Sequence, residues 1–490
     1  MILKEQRGFS AYDNVKIQCP YCFKYFTHDR VDFRVPAVSP EKVKELTMRK
    51  SQAFQNDDKA AIAECDRQLA LAEIFSAKTD RILLNYWKDM GWDENAELYE
   101  VGDGYSEYSE IDDDAKRLNQ ITDPVAECDS DMIIEKIYDS SGFITGCRDN
   151  RNEVSERRIC HYCHNKLPKN YGKNPIYFLA VVGISGAGKT VMLSKLLEKI
   201  EDLVANIGFT ATVNNKYTAG RYVKKYKIEQ NKAMPEGTNK TQFKPPIFLN
   251  IVNREKAATV VIYDIAGENC VNPDKINVIG PFVKNANGII MLLDPEQING
   301  WEFPNRGEQN KAADDLAPQA VINTMANAFL CDEDHKANVP LAVTISKSDL
   351  LKNVRVNGNS LKEENSNIFR NVRYTTKAFM FKDFLNINHE VRELIGTYCP
   401  ALFTAIENLF KNPGFFAVST LGHDTENEVD SAGKEKKVMR MNIEHTRLEE
   451  PLLWLLYRWN VVKAEANGGG KTDDDKDERS LIRRLFGGKR

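Results

Sequence analysis

Long apolar runs are missing from this 490-residue chain. No stretch approaches the twenty or so uninterrupted apolar residues that a membrane-spanning helix needs. The opening residues, Met1-Ile2-Leu3-Lys4-Glu5-Gln6-Arg7, lack the apolar centre of a secretory signal. An excess of one charge is missing too: a net charge of −4 exerts no global pull towards nucleic acid or anionic lipid. Cysteine is sparse, ten in the whole chain, which excludes a disulfide scaffold. Four of the ten stand in two Cys-x-x-Cys pairs, and in a chain without a secretory signal that spacing favours metal over disulfides. The expected compartment is the cytoplasm. No internal repeat is found.

What is present is enough apolar sequence for real cores, 42% of residues, in a chain long enough for two to four domains. A split zinc-binding module is expected over 1–36 and 130–172, carrying Cys19, Cys22, Cys160 and Cys163. Between its halves, 37–129 reads as a helical insertion. Alanine, leucine, lysine and glutamate dominate Glu41 to Asp89 without Gly or Pro, and an acidic loop ending at Asp112-Asp113-Asp114 follows. Over 173–465 apolar runs alternate with helical stretches: Ile176 to Val182, Ile247 to Val252, Thr259 to Tyr263, Gly288 to Leu293, Leu341 to Ile345 and Phe415 to Val418. That alternation predicts an α/β fold with a mostly parallel sheet. Residues 466–490 read as a flexible linker and a short basic tail. The tail is taken as a disordered end, with a surface-docking helix as the alternative.

The sharpest motif is Gly183-Ile184-Ser185-Gly186-Ala187-Gly188-Lys189-Thr190. It is a Gly-x-x-x-x-Gly-Lys-Thr phosphate loop that follows a strand and opens a helix. Glycines let backbone N–H groups wrap phosphates, and the helix N-terminus adds partial positive charge. Lys189 is expected on the β- and γ-phosphates, and the Thr190 hydroxyl on Mg²⁺. A second apolar run ends in Asp264-Ile265-Ala266-Gly267-Glu268. Its carboxylate suits a metal-bound water. A third ends in Ser346-Lys347-Ser348-Asp349 and a fourth in Ser419-Thr420-Leu421.

Taken together, these runs resemble the motifs of TRAFAC-class, Ras-like P-loop GTPases. Within that class, the zinc-ribbon-like module in front and the runs Leu293-Asp294-Pro295 and Pro451-Leu452-Leu453-Trp454 make the chain similar to the bacterial double-GTPase family of conflict-type operons. The resemblance implies that Gly267 aims a backbone N–H at the γ-phosphate. It implies that Asp349 reads the guanine edge while the Lys347 stem packs on the ring, and that Ser419 and Thr420 lie where a backbone contact meets the guanine oxygen. Ser346 replaces the family's Asn or Thr, which leaves ATP as an alternative to GTP/GDP. Glu268 stands where Ras-like enzymes carry Gln; its carboxylate orients water but also faces γ-phosphate charge. A switch threonine is sought between Asn214 and Pro246, with Thr238 first and Thr241 second. No arginine finger is assignable.

The implied activity is slow, Mg²⁺-dependent GTP hydrolysis, raised by a partner or by a homodimer. A scaffold that senses nucleotide without turnover is the main alternative. Two Cys-x-x-Cys turns complete a tetrahedral Zn²⁺ site, which is structural when closed, so the module is expected to present a surface to protein partners. Nucleic acid is disfavoured by the acidic insertion. Cys65, Cys128 and Cys147 read as buried or incidental, and His28, His161 and His164 as ordinary polar neighbours, with spare metal ligands as the alternative.

Overall fold

The computed structural model describes residues 11–12, 14–95, 97–99, 115–213, 244–298, 301, 318–330, 336–352, 354–356, 359–360, 366–423, 426–429, 435–438 and 442–465. Its contacts divide at Pro175, giving an N-terminal and a C-terminal unit.

In the N-terminal unit the 41–89 stretch forms three helices, Pro40–Gln55, Lys59–Ile74 and Arg81–Asp89. Each start is locally encoded. Ser39, Asp58 and Asp80 accept hydrogen bonds from first-turn N–H groups, and Pro40 opens the first helix, where no intrahelical N–H is needed. Asp80 does more than cap. It pairs with Arg34 at 2.8 Å and with Nδ1 of His164 at 3.0 Å, and its carboxyl is held down at about 2 because His164, Leu83 N–H and Arg34 outweigh the opposing effect of burial. Trp87, buried on the same helix, donates from its indole N–H to the Asn165 side chain at 2.9 Å. The third helix is thereby tied to the loop after Cys163.

A small antiparallel sheet, ordered Arg158–Ile159, Asp32–Arg34, Val125–Ala126, closes this unit's core. The end of the 37–129 insertion therefore belongs to the same sheet as the residues between the two cysteine pairs.

The C-terminal unit is built on seven strands in the order Thr210–Val213, Ile247–Val252, Ala257–Ala266, Ile176–Gly183, Gly288–Leu293, Leu341–Ile345, Gly414–Ala417. The last five run parallel, and the two edge strands on the other side are antiparallel. Counted from Ile176, and leaving aside the Thr210 edge strand, the order is 2-3-1-4-5-6. The expected α/β architecture with a mostly parallel sheet is what the chain adopts.

The parallel strands are apolar on both faces because both faces are covered. Helix Lys189–Ala205 packs Met192, Leu193, Leu196, Leu197 and Ile200 on one side. Helix Glu450–Arg458 adds Leu452, Leu453, Trp454, Leu455 and Leu456 to the same cluster, and on the opposite face Tyr263 packs edge-on against Phe282 of helix Pro273–Lys284. Gly414 makes room for the Glu450–Arg458 helix: a Cβ there would lie 3.0 Å from the Trp454 ring. Ligands bind such sheets outside the C-terminal ends of the strands, where the order reverses. In this sheet that place is the end of the Ile176 strand, flanked by the third and fourth strands.

Candidate nucleotide site

The Ile176–Gly183 strand delivers the phosphate loop at that position. Gly186 and Gly188 have φ of 87° and 82°, the left-handed region that L side chains avoid. Gly188 is the residue before the helix, and no side chain caps it, so the first turn's N–H groups point into the loop as an anion site. Lys189, 5% exposed, folds its ammonium back onto the Gly183 carbonyl and to within 3.4 Å of the Ile184 carbonyl. It thus spans the concavity that phosphate oxygens enter. Thr190 follows as the second residue of this helix.

The Ala257–Ala266 strand runs parallel to the Ile176 strand, register-matching Asp264 to Val181 and Ala266 to Gly183. Gly267 then lies against the loop: a Cβ at 267 would sit 3.0 Å from both the Gly183 carbonyl carbon and the Ile184 nitrogen. Only glycine fits this approach. Glu268 turns back, and its Oε1 accepts the Ser185 N–H at 2.7 Å. The carboxylate oxygen stands in for a phosphate oxygen on a loop amide. The Ser185 carbonyl accepts from Gln297 Nε2 at 2.5 Å. Lys244 donates to Oδ2 of Asp264, with side chains 5% and 1% exposed. An ammonium therefore rests on the carboxylate assigned to Mg²⁺, and that donor set fits a hard cation.

At the other end of the loop, Ser346 follows the Leu341–Ile345 strand, and both its N–H and its hydroxyl donate to the Leu293 carbonyl, at 2.9 and 3.2 Å. The serine hydroxyl thus ties neighbouring strands together rather than reaching the phosphate loop. Ser348 N–H donates to the Val418 carbonyl at 3.1 Å, which joins the third and fourth motifs. Ser419 completes the join: its hydroxyl donates to Oδ1 of Asp349 at 2.5 Å and accepts the Gly422 N–H at 3.0 Å. Thr420 is the next residue, half-buried. Lys347, at φ 48°, places its ammonium 2.5 Å from Asp294 and 3.0 Å from Glu296. Burial opposes the Lys347 charge, but the two carboxylates outweigh it and raise its pKa. Burial raises Asp294 despite Lys347.

Sequence reasoning missed three of these groups. Lys244 and Gln297 belong to no motif, and Asp294 only closes the apolar run Gly288 to Leu293, before Pro295. A signal for Asp294 was available: a polar residue closing an apolar strand, directly before a proline turn. Thr238 lies outside the described residues, as does Thr241.

Residues 177–398 match the family model Double-GTPase 2. Over this segment the chain is similar to the double-GTPases. A protein of Mycolicibacterium smegmatis titled "Putative ESX-1 scaffolding and assembly protein SaeC" is 22% identical over 211 residues, 40% of this chain and 52% of that protein. The chain thus spans about half the length of this curated relative. Among solved structures, the Arl6 BBS3 small GTPase from Trypanosoma brucei with bound GppNp aligns over 58% of this chain and 98% of its own, at 12% identity and a TM-score of 0.24. The fold follows from the strand order above and not from that likeness.

The N-terminal unit brings its four expected cysteines together: their sulfurs lie within 4.8 Å of one another. Cys19 and Cys163 are 3.7 Å apart, and Cys22 and Cys160 3.8 Å. Zn–S bonds near 2.3 Å imply tetrahedral S···S edges of about 3.8 Å, so the pocket fits zinc. The two turns repeat one another. Tyr21 N–H and Tyr162 N–H donate to Cys19 Sγ and Cys160 Sγ, each at 3.4 Å, and Phe23 and His164 both take left-handed φ. Burial pushes the Cys19 and Cys163 thiols up, a penalty that a bound cation offsets.

Proposed function

We propose that this chain is a guanine-nucleotide switch with slow intrinsic hydrolysis, whose zinc module presents a surface to protein partners in the cytoplasm. The observation that carries the reading is the Asp349–Ser419 contact at 2.5 Å. It presets one carboxylate oxygen and leaves the group aligned to accept two N–H donors from a base edge, which guanine supplies and adenine does not.

Lys189 and the loop amides bind and polarise the phosphates, and the Gly267 N–H faces the γ-phosphate end. Thr190 and Asp264 would hold Mg²⁺, which neutralises charge on the β- and γ-oxygens. Glu268 would orient water for in-line attack on the γ-phosphate. Its negative charge beside that phosphate supports a slow step. Thr238 and a homodimer contact are further expectations of the same reading.

A second reading is favoured by Glu268 itself. Because its carboxylate bonds to Ser185 N–H, it competes with the phosphate it is meant to serve. That suits a scaffold that senses nucleotide without turnover, and the M. smegmatis relative is titled a scaffolding protein. Phosphate release from GTP by the purified chain against Lys189→Ala separates the two. Turnover lost in the variant supports the switch; binding without turnover in the wild type supports the scaffold. Competition between GTP and ATP tests the base, and an ATP preference sinks the guanine assignment.

A further inference from the structure

Three residues outside both assigned sites converge in the N-terminal unit: Asp32, Cys128 and His161. The small sheet brings them to one edge. Asp32 pairs in register with Ile159, two residues before His161, and Phe33 pairs with Ala126, two residues before Cys128. The Cys128 N–H donates to Oδ1 of Asp32 at 2.9 Å, which fixes the carboxylate. His161 Nδ1 lies 3.2 and 2.9 Å from its two oxygens. One carboxylate oxygen, one imidazole nitrogen and the Cys128 sulfur all lie within 4.8 Å of one another.

We propose that Asp32, Cys128 and His161 form a second metal site, for Zn²⁺ or a similar late divalent ion, distinct from the four-cysteine centre. Bonds of about 2.0–2.3 Å to O, N and S place ligand atoms roughly 3.3–3.6 Å apart; Nδ1 stands 2.9 and 3.2 Å from the Asp32 oxygens, with the sulfur inside 4.8 Å of both groups, so small side-chain shifts reach that spacing. The ligand set selects the ion: a thiolate beside an imidazole suits zinc and disfavours Mg²⁺ or Ca²⁺. Binding takes Nδ1 through its lone pair and the Cys128 sulfur as thiolate, so the thiol proton leaves as the metal enters.

A salt bridge alone explains the Asp32–His161 contact but not the sulfur beside it. Asp32 is fully buried, Cys128 6% exposed, and the His161 side chain 43% exposed. The site therefore opens on one side, into a cavity of about 430 Å³ that Thr27, Arg30, Cys128, Asp129, His161 and Tyr162 help to line. Three protein ligands with an accessible fourth position are the arrangement of exchangeable zinc sites, whereas the four-cysteine centre is closed. The cationic Arg30 at the cavity wall suits an anionic fourth ligand, such as a carboxylate.

The test uses the full chain without nucleotide or Mg²⁺, reconstituted with Zn²⁺ or Co²⁺ and measured for metal content and Co²⁺ absorption. Two ions per chain are expected in the wild type. One is expected in both Cys128→Ser and His161→Ala, with the tetrathiolate Co²⁺ charge-transfer bands intact to show that the fold persists. If Cys128→Ser loses those bands through misfolding, His161→Ala alone decides. One ion per chain in the wild type, or a second ion retained in His161→Ala, overturns the proposal. The outcome is independent of nucleotide binding.

Discussion

The ammonium of Lys244 rests on the carboxylate of Asp264, with both side chains almost fully buried. On the proposed function Asp264 would hold Mg²⁺, so metal entry would exchange one cation for another at this carboxylate. Removing one partner of a buried pair costs roughly 3–5 kcal/mol. Lys244→Met is therefore expected to lower the melting temperature, and Mg²⁺ with GTP to restore more stability in the variant than in the wild type. Asp264→Asn has no carboxylate for the ion and is expected to show no such recovery. Thermal melts with and without Mg²⁺·GTP read this out; equal ligand-induced shifts in wild type and Lys244→Met sink it.

Most of the nucleotide domain was legible because its signals are local. A strand buried on both faces reads as an apolar run, and the loop glycines are dictated by a positive φ at Gly186 and Gly188 and by close approach at Gly267. Lys244 and Gln297 were not legible, because their roles come from register and from loops meeting in space; Asp294 carried a signal as the polar close of an apolar strand, but its pairing with Lys347 carried none. The same holds for Asp32, Cys128 and His161, which are separated by 96 and 33 residues and meet only through the pairing of short strands. Ser346 was noticed but not understood: its hydroxyl bonds across to Leu293, a tie between strands that no motif encodes.

Gly267 and Lys189 should separate steric from electrostatic contributions. Lys189→Ala removes a charge-assisted contact worth roughly 1.5–3 kcal/mol, which corresponds to a loss of about 10- to 100-fold in nucleotide affinity. Gly267→Ala places a methyl 3.0 Å from the Gly183 and Ile184 backbone. It is expected to weaken GTP binding more than GDP binding, since the strain falls at the γ-phosphate end. Equilibrium titration with both nucleotides checks it, and equal losses for GTP and GDP would falsify the assignment of Gly267.

In the N-terminal unit, Cys22→Ser breaks the tetrathiolate. A structural zinc site supplies folding energy directly, so the variant is expected to lose its metal and to expose residues before Pro175 to proteolysis. The C-terminal unit has its own core and is expected to keep binding nucleotide. Limited proteolysis with a parallel nucleotide titration tests both halves, and loss of nucleotide binding would show that the units depend on each other.

Glu450 carries a pH dependence. It is 2% exposed, and burial pushes its carboxyl up to about 7 from an ordinary 4.5, against the pull of Arg447. The folded state therefore holds this proton more tightly than the unfolded chain. The stability it contributes is full below about pH 4.5 and is lost as pH rises to about 7, a change on the order of 3 kcal/mol. Glu450→Gln stays neutral and is expected to exceed the wild type in stability at pH 8 while matching it near pH 4. Urea denaturation at the two pH values measures the difference, and a difference that does not change with pH rules the effect out.

Ser419 tests whether the base site reads guanine. Its hydroxyl accepts from Gly422 N–H and donates to Asp349, so its orientation is fixed before any ligand arrives. Ser419→Ala leaves the Asp349 carboxylate able to rotate, and the lost charge-assisted bond is worth roughly 1.5–3 kcal/mol. GTP affinity is expected to fall by about tenfold or more, while ATP, which offers the carboxylate no matching pair of donors, binds as weakly as before. Asp349→Ala should remove the same discrimination altogether and lie below Ser419→Ala for GTP. Competition of GTP and ATP for the wild type and both variants gives the comparison. A parallel fall for both nucleotides in Ser419→Ala means that the serine supports the fold of the loop rather than the reading of the base.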